Sequence, residues 1–222
     1  MSEGKTDRLR AVHPWVAEAR TGPRFGIVFG AWADGPALVP FVRDVEALGF
    51  DSFWGIDHPL SVWGGDCWTA LTALAAVTTR IRLGSLVSCI YYRSPVLLAR
   101  QAADVDRWSN GRLVLGLGIG DAPNEFAQMQ IPFPAVRERH AALAETLTIL
   151  DGLWGVAPFT YQGRHFGVTD VTFHKRPVQK PHLPLLIAGG GEKLTLRRVA
   201  RSADMCNFGE YATTAGAASI RT

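Results

Sequence analysis

A short hydrophobic run, GFDSFWGI, ends on an adjacent carboxylate and imidazole, Asp57 and His58. An imidazole beside a carboxylate suits proton transfer near neutral pH, and either group can hydrogen-bond a polar heterocycle. The plainer reading has Asp57 capping the next turn and His58 satisfied within a loop. A second polar cluster, Asp121, Asn124 and Glu125, follows the run LVLGLGIG, where a plain strand-to-helix turn needs no such groups. These residues can orient a substrate or donate a proton, or simply cap the turn.

The glycines around that cluster have two possible uses. Gly116, Gly118 and Gly120 fall at every second position, so on a strand they share one face and leave it bare, while Leu115, Leu117 and Ile119 fill the other. A flat ring can lie against such a face; alternatively, a barrel interior alternates small and large residues to fill its volume. The run is not a GxGxxG, because Asp121 stands where the last glycine would fall. Further on, Gly189, Gly190 and Gly191 separate an apolar run from a helical pattern. Backbone N–H groups in such a turn can approach a phosphate, and one glycine would have served a ligand-free turn. Lys193 and Arg197 lie close by.

Other chemistries lose ground. There is no GxSxG and no HExxH, and Cys67, Cys89 and Cys206 form no CxxC pair. His13, His140, His165, His174 and His182 are scattered without metal spacing, so no metal is expected, and Trp63, Trp68 and Trp154 read as packing.

The chain has 222 residues, 47% hydrophobic and 19% charged, which bounds it as globular. A net charge of +3 without a basic block gives no sign of nucleic-acid or membrane-surface binding. No apolar run approaches the roughly 18 residues of a bilayer span, and the N-terminus lacks an apolar export signal. The expectation is a soluble protein with reduced thiols, in the cytoplasm.

The elements that must position these groups alternate short apolar runs with helical stripes, the rhythm of βα units around a parallel sheet. RFGIVF is the first strand. Leu38, Phe41, Val42, Val45 and Leu48 form a helical stripe stopped at Gly49. FDSFWGI, DCWTALTALAAVTT and IRLGSLVSCI follow as strand, helix and strand. Ser94-Pro95 opens a helix that ends at Asn110-Gly111, and RLVLGLGI is the fourth strand. After a polar loop, Leu143, Leu147, Leu150 and Trp154 mark another helix. Residues 155–182 read as an excursion with a small hairpin around Tyr161 to Phe166; then LPLLI, GEKLTLRRVARS and ADMCNF complete six strands. One domain is expected over 1–222, with a loose leader at 1–23, a βα-repeat barrel at 24–209 and an irregular tail at 210–222.

Five blocks in order, GFDSFWGIDH, DCWTALTALAAVTTRIRLGSLV, YYRSPVLLARQAADVDRWSNGRLVLGLGIG, IPFPAVRER and RPVQKPHLPLLIAGGGEKLTLRRVARSADMCNF, resemble the luciferase-like monooxygenase superfamily, in particular its coenzyme F420-dependent branch. The resemblance implies an α/β fold, a TIM-like (β/α) barrel of the bacterial-luciferase type with about six of eight strands present. It implies hydride transfer between the deazaflavin C5 and a small organic substrate. By motif position, Asp57 and His58 would contact the deazaflavin, His58 as acid or base. Leu86 and Val87, followed by Ser88, would form a strand-three bulge with a cis non-proline peptide behind the ring. Asp121 takes the place of an acidic proton donor, Asn124 that of a ring or substrate contact, and Gly189, Gly190 and Gly191 that of the phosphate loop. A homodimer is the implied assembly. Two alternatives stay open: an FMN-dependent monooxygenase, and a shortened, non-catalytic flavin-binding or interaction protein.

Overall fold

The computed structural model describes residues 11–29, 35–61, 65–155 and 157–208. The expected tail, the first ten residues of the expected leader and Trp63 lie outside them.

Helix starts follow from side chains that accept the first free N–H groups. Asp66 accepts from the Thr69 amide at 2.7 Å and opens α3 (Cys67–Val77). Ser94 accepts from the Leu97 amide at 3.2 Å and opens α4 (Pro95–Trp108), with proline at the position where its missing N–H costs nothing. Upstream, β1 (Gly26–Phe29) leads to α2 (Gly35–Ala47) and β2 (Ser52–Gly55). In α2 the buried stripe is Leu38, Val42 and Val45; Phe41 and Leu48, read as part of it, are 37% and 77% exposed.

The third apolar run is broken into β3 (Arg82–Ser85) and β4 (Ser88–Cys89), separated by a cis Leu86–Val87 peptide. Then come β5 (Leu113–Gly118), α5 (Pro123–Gln128) and α6 (Val136–Gly155). The expected polar loop therefore contains a short helix, too brief to show a period. The excursion is the antiparallel hairpin β6 (Phe159–Gln162) and β7 (Gly167–Val171). Its turn hangs on Glu145 of α6, whose carboxylate accepts the amides of Arg164, His165 and Phe166. Its return hangs on buried Asp106 of α4, which accepts from Val178 and Gln179. The chain closes with β8 (Leu185–Ala188), a π-helical turn at Glu192–Leu196, α7 (Arg197–Ser202) and β9 (Met205–Asn207).

All sheet pairings around the barrel are parallel, in the order β1-β2-β3-β5-β8-β9, with β4 continuing β3 against β5, so six strand positions curl into a half-barrel. The period of two sorts the side chains. Phe53, Leu83, Leu113, Leu115, Leu117, Leu185 and Ile187 face the helices and join Leu71, Leu74, Leu98, Leu143 and Leu150 in the main core. Trp54, Val114 and Leu186 face inward, where Trp15, Leu86, Val87 and Met205 meet them.

That inner cluster corrects the expectation of a loose leader. Residues 14–18 form α1 (Pro14–Glu18), followed by a 3-10 turn at Ala19–Thr21. The indole of Trp15 lies under the guanidinium groups of Arg24 and Arg82, 5.1 and 4.3 Å from the ring centre. The His13 amide donates to Asp204 at 2.7 Å, tying this segment to the entry of β9. Among the described residues, no helix is long and apolar enough to cross a membrane.

Candidate active site

The strands deliver their C-terminal ends to one cavity of about 680 Å³. Its lining comprises Asp57 and His58 after β2, Leu86, Val87 and Cys89 around β4, and Gly118 to Asp121 after β5. Ala188, Gly189 and Asn207 come from the last two strands, and Tyr92, Pro123, Phe133 and Arg139 from the loops and helices above. Of the residues singled out in the sequence, His58, Asp57, Leu86, Val87, Asp121 and Gly189 are brought together here. Ser88, Asn124, Gly190 and Gly191 are not in the lining.

Each placement has a local cause. The Asp57 carboxylate is buried and gripped at both oxygens by Arg93, at 2.5 and 3.0 Å. Burial disfavours the Arg93 charge, but the hydrogen bonds and field of Asp57 outweigh it and hold its pKa above the ordinary value. The Asp57 charge is thus already engaged within the protein. His58 points its Nδ1 at Glu125 Oε2, 2.9 Å away, and the Tyr92 hydroxyl donates to that same oxygen at 2.7 Å. Burial, reinforced by this bond, pushes the Tyr92 phenol far up, so it remains a donor. Ser88 Oγ accepts the indole N–H of Trp68 at 3.0 Å, an internal role. Asn124 sits exposed on α5.

The glycine row on β5 is filled by protein. A Cβ on Gly116 would strike the Ser85 carbonyl oxygen, and one on Gly118 would come within 2.7 Å of Val87 Cγ2. The bare face thus admits the Ser85–Val87 bulge against β5, and Val87 lines the cavity there beside Gly118. The alternative of small residues interlocking with large ones in the interior describes this face better than a ring lying on the glycines.

At the triple glycine, only Gly189 reaches the cavity. Its φ of +122° requires glycine, and its N–H already donates to Asn207 O at 2.9 Å. Gly190 and Gly191 continue the turn outside the lining. Thr195, buried, packs beneath the turn.

Sequence reasoning did not single out Tyr92, Arg93 or Arg139, and left Glu125 among several polar groups. Arg139 is buried, donates to the carbonyls of Pro134, Ile119 and Gly120, and stacks 4.0 Å from the Phe133 ring centre. It clamps the segment that presents Asp121. Burial pushes the Cys89 thiol to about 11, so it is neutral at physiological pH. Among the described residues, no group of three His, Cys, Asp or Glu could hold a metal ion.

A sequence profile described as luciferase-like monooxygenase matches residues 21–220. The chain belongs to this family. It is 35% identical over 201 residues to an F420-dependent glucose-6-phosphate dehydrogenase of Microbacterium testaceum, covering 87% of this chain and 57% of the relative. It is 34% identical over 181 residues to the protein of the same name from Kineococcus radiotolerans, covering 78% and 52%. The chain thus spans about half the length of these relatives. Among solved structures, the coenzyme F420-dependent tetrahydromethanopterin reductase of Methanopyrus kandleri superposes with a TM-score of 0.73 at 25% identity, covering 84% of this chain and 55% of that one. A fold likeness at 22% identity and a TM-score of 0.73, covering 83% and 57%, is to an F420-dependent secondary alcohol dehydrogenase in complex with an F420-acetone adduct. The luciferase-like half-barrel expected from the sequence agrees with these superpositions.

Proposed function

We propose that this luciferase-like chain is an F420-dependent oxidoreductase that exchanges a hydride with a small organic alcohol or carbonyl compound. The observation that carries the reading is that His58, held by Glu125, and Asp121 both line the cavity walled by Leu86 and Val87. The relatives' names supply the coenzyme. The cavity fits such a group: its volume is of the size that encloses a planar heterocycle, its wall is apolar, and proton-bearing side chains stand at the rim.

When bound, the deazaflavin supplies a two-electron hydride carrier. The side chains manage position and protons. Leu86 and Val87 form the apolar wall that would hold a flat ring, and the Gly190 and Gly191 amides, beyond Gly189 at the cavity's edge, would be the donors for its phosphate. His58 takes a proton from a substrate hydroxyl, or returns it to a carbonyl oxygen, and Asp121 is the second proton carrier at the mouth. Arg139 keeps the Asp121 segment in place, and Asp57 fixes the end of β2 through Arg93.

Equilibrium dialysis of the purified protein against F420 and FMN tests the reading. Saturable binding of F420 with weaker FMN binding is expected. Preferential FMN binding, with a flavin spectrum on purification, would favour the monooxygenase alternative, and binding of neither would end the enzyme reading. We also infer a homodimer; sedimentation velocity tests it, and a monomer at micromolar concentration overturns it.

A further inference from the structure

The mechanism above uses His58 but leaves open which nitrogen it offers, and three side chains from separate elements decide this. Glu125 Oε2 receives both His58 Nδ1 at 2.9 Å and the Tyr92 hydroxyl at 2.7 Å. An ionised carboxylate has no proton to give, so both partners must be donors. The proton of a neutral His58 then sits on Nδ1, leaving the Nε2 lone pair. Glu125 is 14% exposed at its side chain and His58 35%, so their contact is partly shielded while the imidazole still meets the cavity.

We propose that Glu125 is the positioning residue for His58: it fixes the tautomer and the ring direction so that Nε2 is the proton-exchanging nitrogen, with Tyr92 holding the carboxylate in place. This rests on the oxidoreductase reading for its purpose, though not for its geometry. When Nε2 takes a proton, the imidazolium faces a carboxylate across a single hydrogen bond and is stabilised there. The other charges around His58 do not substitute for this. Asp57, its chain neighbour, is bound to Arg93; Arg139 is bound to backbone carbonyls; and Asp121 lies on the same cavity without a bond to the imidazole. The arrangement joins the loop after β4, the end of β2 and the first turn of α5, so the site forms only when all three are docked.

The test is 15N NMR of His58 in the full chain, whose shifts report the tautomer with no coenzyme needed. In the unmodified protein, Nδ1–H is expected to predominate. Glu125→Gln, whose amide can turn an N–H toward the ring, should lower the Nδ1–H fraction of the neutral imidazole. Glu125→Asp should restore part of it. Tyr92→Phe, which keeps the ring packing against Phe126, should give a smaller shift in the same direction. An unchanged tautomer ratio in both Glu125→Gln and Tyr92→Phe would overturn the proposal. F420 dialysis on the same variants separates the two ideas. Retained binding with a shifted His58 supports both, whereas a shifted His58 in a protein that never binds coenzyme removes the function and leaves the positioning intact.

Discussion

Asp57 and Arg93 meet as a two-point ion pair, Nη1 to Oδ2 at 2.5 Å and Nη2 to Oδ1 at 3.0 Å, with side chains 1% and 7% exposed. Two charges withdrawn from water hold each other only while both are present. Arg93→Leu therefore strands a buried carboxylate and should cost about 3–5 kcal/mol in urea denaturation. Asp57→Leu with Arg93→Met, which removes both charges, should cost less than the single change. A double variant less stable than Arg93→Leu would show that the stranded charge is not what destabilises the single one.

The glycine row gives a second prediction. At Gly116 an added Cβ meets the Ser85 carbonyl, which is backbone and cannot swing aside, whereas at Gly118 it meets only the Val87 side chain. Gly116→Ala should destabilise by about 2 kcal/mol or more, and Gly118→Ala by less, in thermal melts. Equal costs would mean the bulge can shift.

These two cases show what the sequence makes legible. Helices α3 and α4 were readable because Asp66 and Ser94 stand directly before their apolar stripes and the caps are local. The period of two at Gly116 and Gly118 was also readable, but the group that fills it comes from a bulge about 30 positions away. Arg93 sits 36 residues from Asp57, and Tyr92 33 residues from Glu125, with no periodic signal joining them. Glu125 had a signal, its place in the polar cluster after β5, but a six-residue helix carries too little periodicity to show where its side chain turns. The docking of Trp15 was invisible for a related reason: its partners are the inward residues of three distant strands.

Asp204 predicts the acid limb of stability. Burial raises its pKa, but the His182 hydrogen bond and the Leu185 and His13 amides outweigh that and leave it below the ordinary value. A carboxylate with a lowered folded-state pKa contributes stability above its unfolded value of about 3.9, and that contribution is lost as pH falls through the folded value. Asp204→Asn should therefore lower stability at pH 7 and flatten its decline below about pH 4. Parallel acid limbs in the two proteins would contradict the assignment.

The triple glycine carries the last prediction, and its logic turns on which residue is changed. Gly189 is a poor probe, because its φ of +122° penalises any side chain and its N–H is needed by β9. Gly190 lies one step on, and on the proposed reading a side chain there would crowd a phosphate held by the turn's amides. Gly190→Val should weaken F420 at least tenfold, about 1.4 kcal/mol, in fluorescence titration, with the melting temperature of the free protein unchanged. The same variant should bind a dephosphorylated deazaflavin as well as the unmodified protein does. Equal loss for both ligands would place the side chain against the ring rather than the phosphate, and no loss for either would remove the turn from the coenzyme site.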